Sequence, residues 1–258
     1  MISTDVIVLG AGMVGTSAAL HLRMKGKSVA LVDRRGIGEE TSYGNAGIVE
    51  REGLVPVAFP REIGALIRYG LRLEPAANYH LSFLPKIAPW LWQLFLATDK
   101  AGIAKFAAGV DALSRTSIAE HHLLAKEAGA EGFFRDTGWV RLYRSHKGLA
   151  EAASLHDFAD QYGIVYQHLT IPELKEMEPD LNPVGVGAVF WPETQSVSWP
   201  EGVTKAYGDL LVGRGGIVAR GDARSLRRGA TGWVVTTESG EIAAPHVVVA
   251  LGPWSNDL

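Results

Sequence analysis

An α/β fold of the doubly wound, Rossmann-like kind is predicted by three features of the first fifty residues. They are a short apolar run, a glycine triplet in G-x-G-x-x-G spacing, and a second apolar run that ends in an acid. The run "DVIVLG" (Asp5–Gly10) is β-branched and unbroken, as a parallel strand buried on both faces requires. It leads into "GAGMVG", where Gly10, Gly12 and Gly15 form the triplet and Ala11, Met13 and Val14 lie between them. A helix follows, with Ala18, Ala19 and Leu22 marking one face and Gly26 as its stop. "SVALVD" then supplies a second strand ending at Asp33, 18 residues past Gly15.

Each part has a physical task. Gly10 permits a tight turn, Gly12 lets backbone approach a pyrophosphate, and Gly15 lets helix and strand pack closely. The helix N-terminus offers free N–H groups and a favourable dipole to negative charge. Asp33 suits an adenosine ribose. Which dinucleotide is bound stays open on these residues alone. Asp33 followed by Arg34 and Arg35 fits NAD, or NADP if the arginines reach a 2′-phosphate.

Residues 34–49, "RRGIGEETSYGNAGIV", run on as loop where a nicotinamide-binding unit would begin its next helix. Thr41, Ser42, Gly44, Asn45, Ala46 and Gly47 are small or hydrogen-bonding, and suit close wrapping around a long cofactor. Taken together, "VIVLGAGMVGTSAALHL", the acid-ended second strand and "ETSYGNAGI" resemble the D-amino-acid oxidase-like family of FAD-dependent oxidoreductases. Within it they look most like the bacterial D-amino-acid dehydrogenase type. "RDTGWVRLYRS" (Arg135–Ser145), "LKEMEPDLNP" (Leu174–Pro183), "GGIVARGDARSL" and "GEIAAPHVVVALGPWSNDL" resemble later parts of the same pattern.

The resemblance implies an α/β chain with a Rossmann-like FAD-binding domain and an inserted α+β substrate domain. The expected divisions are 1–50 and 196–258 for the FAD-binding domain, incomplete at its C-terminal side, and 51–195 mainly for the insert. It implies that Gly10, Ala11, Gly12, Met13, Val14, Gly15, Asp33 and Arg34 contact FAD, as do Thr41, Ser42, Asn45, Ala46, Gly47, Val218 and Gly252. The implied reaction takes hydride from the α-carbon of a D-amino acid or related amine, sarcosine included. The acceptor beyond FAD is left between oxygen and a quinone chain. Relatives of this type run on past the equivalent of Leu258, and their carboxylate-anchoring groups come largely from that later half. No catalytic residue is therefore named, and the chain is expected to be either a fragment of a longer protein or a truncated product, and poorly stable by itself. An NAD(P)-dependent oxidoreductase and a non-catalytic FAD-binding fragment are the alternatives.

Between these segments the expectations are local. Helices are expected around Arg61–Leu73 and Leu84–Ala97, from a capping-box start at Ser117 with Glu120, over Leu149–Gly163, and from Pro200. "GWVRLY" and "GAVFWP" read as strands, as do "GIVAR", "ARSLRR", "GWVVTTE" and "EIAAPHVVVAL", with Ser239–Gly240 turning between the last two. Glu173, Glu176, Glu178 and Asp180 read as a solvated acidic turn.

Composition narrows the function classes. The chain has 258 residues, 47% of them apolar, a formal charge of −3 and no cysteine. That supports one large or two modest domains and gives no basic footprint for nucleic acid. Without cysteine there are no disulfides, no thiolate metal site and no cysteine anchor for flavin, so FAD is expected to be non-covalent. The eight histidines show no H-x-x-x-H or H-E-x-x-H spacing, and no metal is expected; no G-x-S-x-G elbow occurs. "MISTDVIVLGAGMVG" lacks a signal-peptide pattern, and no apolar run reaches the roughly 18 residues of a spanning helix. The expected location is cytoplasmic. The aromatic segment Ile87–Ala97 is a candidate for peripheral membrane contact.

Overall fold

The computed structural model describes residues 1–73, 79–230 and 232–258. In chain order the elements are β1 (Ile2–Ser3), β2 (Val6–Leu9), α1 (Met13–Met24), β3 (Val29–Asp33), β4 (Ile48–Val49), α2 (Ile63–Gly70), α3 (Leu84–Ala97) and α4 (Lys100–Ala128). Next come β5 (Phe134–Arg135), β6 (Trp139–Tyr143), α5 (His146–Glu151), α6 (Ala153–Tyr162), β7 (Gln167–Leu169), α7 (Ile171–Met177) and β8 (Gly187–Trp191). The chain ends with β9 (Gln195–Val197), α8 (Pro200–Gly213), β10 (Ile217–Arg220), β11 (Arg227–Gly229), β12 (Gly232–Thr237), β13 (Gly240–Ala244) and β14 (His246–Val249). Two compact units result: residues 1–49, 118–137 and 195–258, and residues 50–117 and 138–194.

The first unit is built on an all-parallel sheet in the order β10-β3-β2-β14. Strand alternation assigns its two faces. Val6, Val8, Val29 and Leu31 join a core with Ala19 and Leu20 of α1, Leu124 and Ala125 of α4, and Val203, Tyr207 and Leu211 of α8. Ile7, Leu9, Ala30 and Val32 join Val235, Ile242 and Ala244 of a second sheet, ordered β1-β13-β12-β11. Burial on both faces is why these strands read as unbroken apolar runs. A small third sheet, β4-β9-β5, closes the unit.

Several local expectations are corrected. The helix start expected at Ser117 does not occur, because α4 runs through it without a break. The Ser117 hydroxyl donates to the Ser114 carbonyl at 2.9 Å, a mid-helix bond that satisfies it without a cap. "EIAAPHVVVAL" is two strands in two sheets, divided at Pro245, which has no N–H to continue a ladder. Thr237 pairs with Gly240, so the hairpin loop is Glu238–Ser239, one residue earlier than expected. "ARSLRR" opens as a 3₁₀ turn over Ala223–Ser225, capped by the Asp222 side chain, before β11 begins.

The second unit holds the antiparallel sheet β6-β8-β7 over a core of Leu54, Ala107, Ala159, Ile164, Val189 and Trp191. The helix expected over Leu149–Gly163 is two, α5 and α6, with Ser145 capping the first and Gly163 closing the second in a left-handed conformation. Glu173, read as part of a solvated turn, completes a capping box with Thr170 at the start of α7. Neither α2 nor α3 buries a residue, and Trp90 and Trp92 are 57% and 61% exposed. Among the described residues no helix is long and apolar enough to cross a membrane.

One prediction concerns acid. Burial pushes the imidazoles of His121 and His156 below their ordinary range, with His122 and His168 adding to the effect and Asp157 and Asp160 opposing it at His156. Both rings are thus favoured neutral in the fold, whereas the unfolded chain protonates them freely. Stability is present above the unfolded histidine range and is lost as pH falls through it towards the depressed folded values. Thermal melting at pH 5.5 should come about 3 °C below that at pH 7.5. His156→Phe should shrink the difference.

Candidate functional site

The parallel sheet reverses its order between β2 and β14, and ligands of such sheets bind beyond the strand ends at that switch. A cleft of about 700 Å³ lies there. Its floor is Gly10, which follows β2, and Ala250, which follows β14. Gly10 has φ +102°, and a Cβ on it would stand 2.3 Å from the Ala250 carbonyl oxygen. A Cβ on Gly15 would stand 1.8 Å from the Gly10 carbonyl oxygen, so helix and loop touch through bare backbone. Gly12 differs. Its φ of −75° and ψ of 180° suit any residue, and a Cβ there would meet only Ser42 Oγ, at 3.2 Å. Gly10 and Gly15 serve the fold, and Gly12 keeps the cleft wall bare.

Gly12 caps α1 without a side chain, and the first helical turn holds no acid, so its positive end is left for an anion. The Met13 N–H donates to Ser42 Oγ at 2.9 Å, which binds the 41–47 loop to the glycine loop. The Gly38 N–H donates to the Ala11 carbonyl at 2.9 Å and adds a second tie. Asp33 secures the loop from below. Its Oδ2 accepts from the Ala11 N–H at 2.7 Å and its Oδ1 from the Arg35 N–H at 2.8 Å. A carboxylate has about four lone-pair sites, so each oxygen keeps one for a ligand hydroxyl.

Among the cleft's lining residues, the Arg34 guanidinium lies 4.7 Å over the Trp254 ring and pairs with Glu40 at 2.9 Å. Asp222 faces Arg224, whose Nη2 lies 2.7 Å from Oδ2. The Arg224 side-chain hydrogen bond, helped by the Arg224 backbone N–H, holds the Asp222 carboxyl down to about 2.

Of the residues expected at a cofactor, Gly10, Gly12, Met13, Val14, Asp33, Arg34, Thr41, Ser42 and Gly252 line this one cleft. Ala11 and Gly15 stand behind it, buried as its support. The others lie outside. Asn45 turns its Oδ1 to accept from the Gly47 N–H at 2.8 Å, and Ala46 is exposed. Gly47, at φ +63°, seats the loop against Val197. Val218 sits within β10, paired with Leu31. Sequence reasoning missed Glu40, Asp222, Arg224 and Trp254, all on the cleft wall. Their signal is positional: Asp222 follows the end of β10 and Trp254 the end of β14, on the side where such sheets bind ligands.

A family model described as FAD dependent oxidoreductase (DAO) matches residues 5–258. A D-amino-acid oxidase of Bradyrhizobium diazoefficiens is 29% identical over 260 residues, covering 98% of this chain and 61% of that protein. A D-amino acid dehydrogenase of Helicobacter pylori is 22% identical over 193 residues, covering 75% of this chain and 46% of that one. The crystal structure of glycine oxidase from Geobacillus kaustophilus superposes with a TM-score of 0.68 at 20% identity, over 99% of this chain and 57% of that one. The chain thus spans roughly half to three fifths of the length of these relatives. With a bare glycine loop, an acid-ended second strand and a family match over nearly all its residues, the chain belongs to the DAO family of FAD-dependent oxidoreductases.

Proposed function

We propose that this chain carries the FAD-binding part of an enzyme that oxidises D-amino acids or related amines. The observation that carries the reading is the joined pair of loops, with Met13 N–H on Ser42 Oγ above a cleft that Gly12 leaves bare. The residues present fit the cofactor. The N–H groups at the start of α1 that follow Met13, whose own N–H is on Ser42 Oγ, receive the diphosphate, which needs backbone dipoles more than side-chain charge. Asp33 takes the ribose hydroxyls through its free lone pairs. When bound, FAD supplies the hydride-accepting ring. The protein's share is to hold the substrate α-carbon near that ring and to keep water out of the way, which is positioning rather than acid–base chemistry. The second unit is the proposed bearer of substrate contacts.

The relatives' names, D-amino-acid oxidase and D-amino acid dehydrogenase, support the substrate class. Two measurements test the reading. FAD should bind with quenching of its fluorescence, and a panel of D-amino acids and sarcosine should then bleach the oxidised flavin's visible absorbance without oxygen. Reoxidation by air or only by a quinone separates the two acceptors. Failure to bind FAD, with NADH bound instead, removes the proposal.

A further inference from the structure

The arginines that follow Asp33 are the feature the cofactor reading leaves unexplained. In dinucleotide sites of this kind the acid at the end of the second strand takes the ribose diol, and a nearby arginine is what admits a 2′-phosphate. This chain has both, side by side. The structure shows what the arginines hold. Nε and Nη2 of Arg34 both reach Glu40 Oε1, at 3.1 and 2.9 Å. Nε of Arg35 reaches the same oxygen at 3.1 Å. Arg34 is also laid over the Trp254 ring.

We propose that Glu40 is a specificity-determining residue of the nucleotide cleft, which excludes 2′-phosphorylated dinucleotides by occupying Arg34 and Arg35. The inference rests on the FAD reading and deepens it. Arg34, Glu40 and Asp33 all line the cleft, so a 2′-phosphate beside Asp33 would meet two carboxylates with both neighbouring cations engaged. The other arginine on the wall, Arg224, is held by Asp222 through Nε and Nη2. Each arginine lining the cleft is therefore matched by an acid, and Asp33 and Asp257 stand in excess. A neutral diol fits that balance, and a further dianion does not.

The test uses ADP-ribose and its 2′-phosphate as probes, titrated calorimetrically into the whole chain, with FAD binding as a parallel readout. The unaltered chain should bind ADP-ribose better than the phosphate. Glu40→Gln should narrow that gap about fivefold, because it frees Arg34 on the cleft wall and its neighbour Arg35 while keeping the side chain's size. Adding Arg34→Ala and Arg35→Ala to Glu40→Gln should restore the gap, which a general loosening of the loop would not do. If the unaltered chain binds FAD but Glu40→Gln leaves the ratio unchanged, this inference is wrong and the FAD reading stands. If the unaltered chain prefers the 2′-phosphate, the inference is wrong as well. If it binds neither FAD nor ADP-ribose, the FAD reading falls and takes the inference with it.

Discussion

Gly12→Val is expected to abolish FAD retention while leaving the chain folded. The backbone at this position has φ −75° and ψ 180°, open to any residue, and the only atom crowding a new Cβ is Ser42 Oγ at 3.2 Å. The branched side chain would instead fill the space that a diphosphate needs against the α1 N-terminus. Helix content should match the parent's, and the unfolding free energy from a urea melt should stay within about 1 kcal/mol of it. Gly15→Ala, three residues on, should do the reverse kind of damage. Its Cβ would fall 1.8 Å from the Gly10 carbonyl oxygen, and backbone cannot swing aside as a side chain can. The expected cost is about 3 kcal/mol or more, read in a urea melt without cofactor. Normal FAD loading of Gly12→Val would remove the phosphate-loop assignment.

In the second unit, Arg51→Ala should cost about 3 kcal/mol. Arg51 is 9% exposed and Asp111 3%. The Arg51 Nη2 lies 2.9 Å from Asp111 Oδ1 and donates to the Tyr162 carbonyl at 3.2 Å, while Nη1 donates to Ser114 Oγ at 3.3 Å. Burial works against the Asp111 carboxylate, yet Arg115 and Arg51 together hold it below the ordinary carboxylate range. Removing Arg51 strands much of that charge and loosens the first residues of the unit from α4 and the end of α6. Arg115 still pairs with Asp111, which keeps the loss from being larger. A combined Arg51→Ala, Asp111→Leu variant should be more stable than Arg51→Ala alone, since no buried charge is left without its partner. Equal stability of the two would show that the arginine acts by packing.

What the sequence made legible was local and periodic. β2 and β3 stood out because strands buried on both faces carry no polar alternation, and the glycine triplet stood out because three bare positions have three mechanical reasons. Ser42 was found through its loop, but its role as acceptor for the Met13 N–H needed coordinates. Other features had no local signal. Ser117 and Glu120 spell a helix start, yet packing of Leu124 and Ala125 carries α4 straight through them. Asp222 and Trp254 reach the cleft only because β10 and β14 pair with strands about 185–240 residues earlier in the chain, which no window on the sequence reveals. Glu40 looked like a loop residue, since its meaning depends on where two arginine side chains turn.

The placing of β2 and β3 in the middle of their sheet has a consequence during synthesis. Their flanking strands, β10 and β14, begin at Ile217 and His246, so these two buried strands leave the ribosome about 180 residues before either neighbour exists. At ordinary elongation speeds of about 5–20 residues per second, that is a wait of roughly 10–40 s with open strand edges. A nascent chain in that condition is a natural client for a holdase chaperone, and overexpression should favour inclusion bodies unless growth is slowed by cooling.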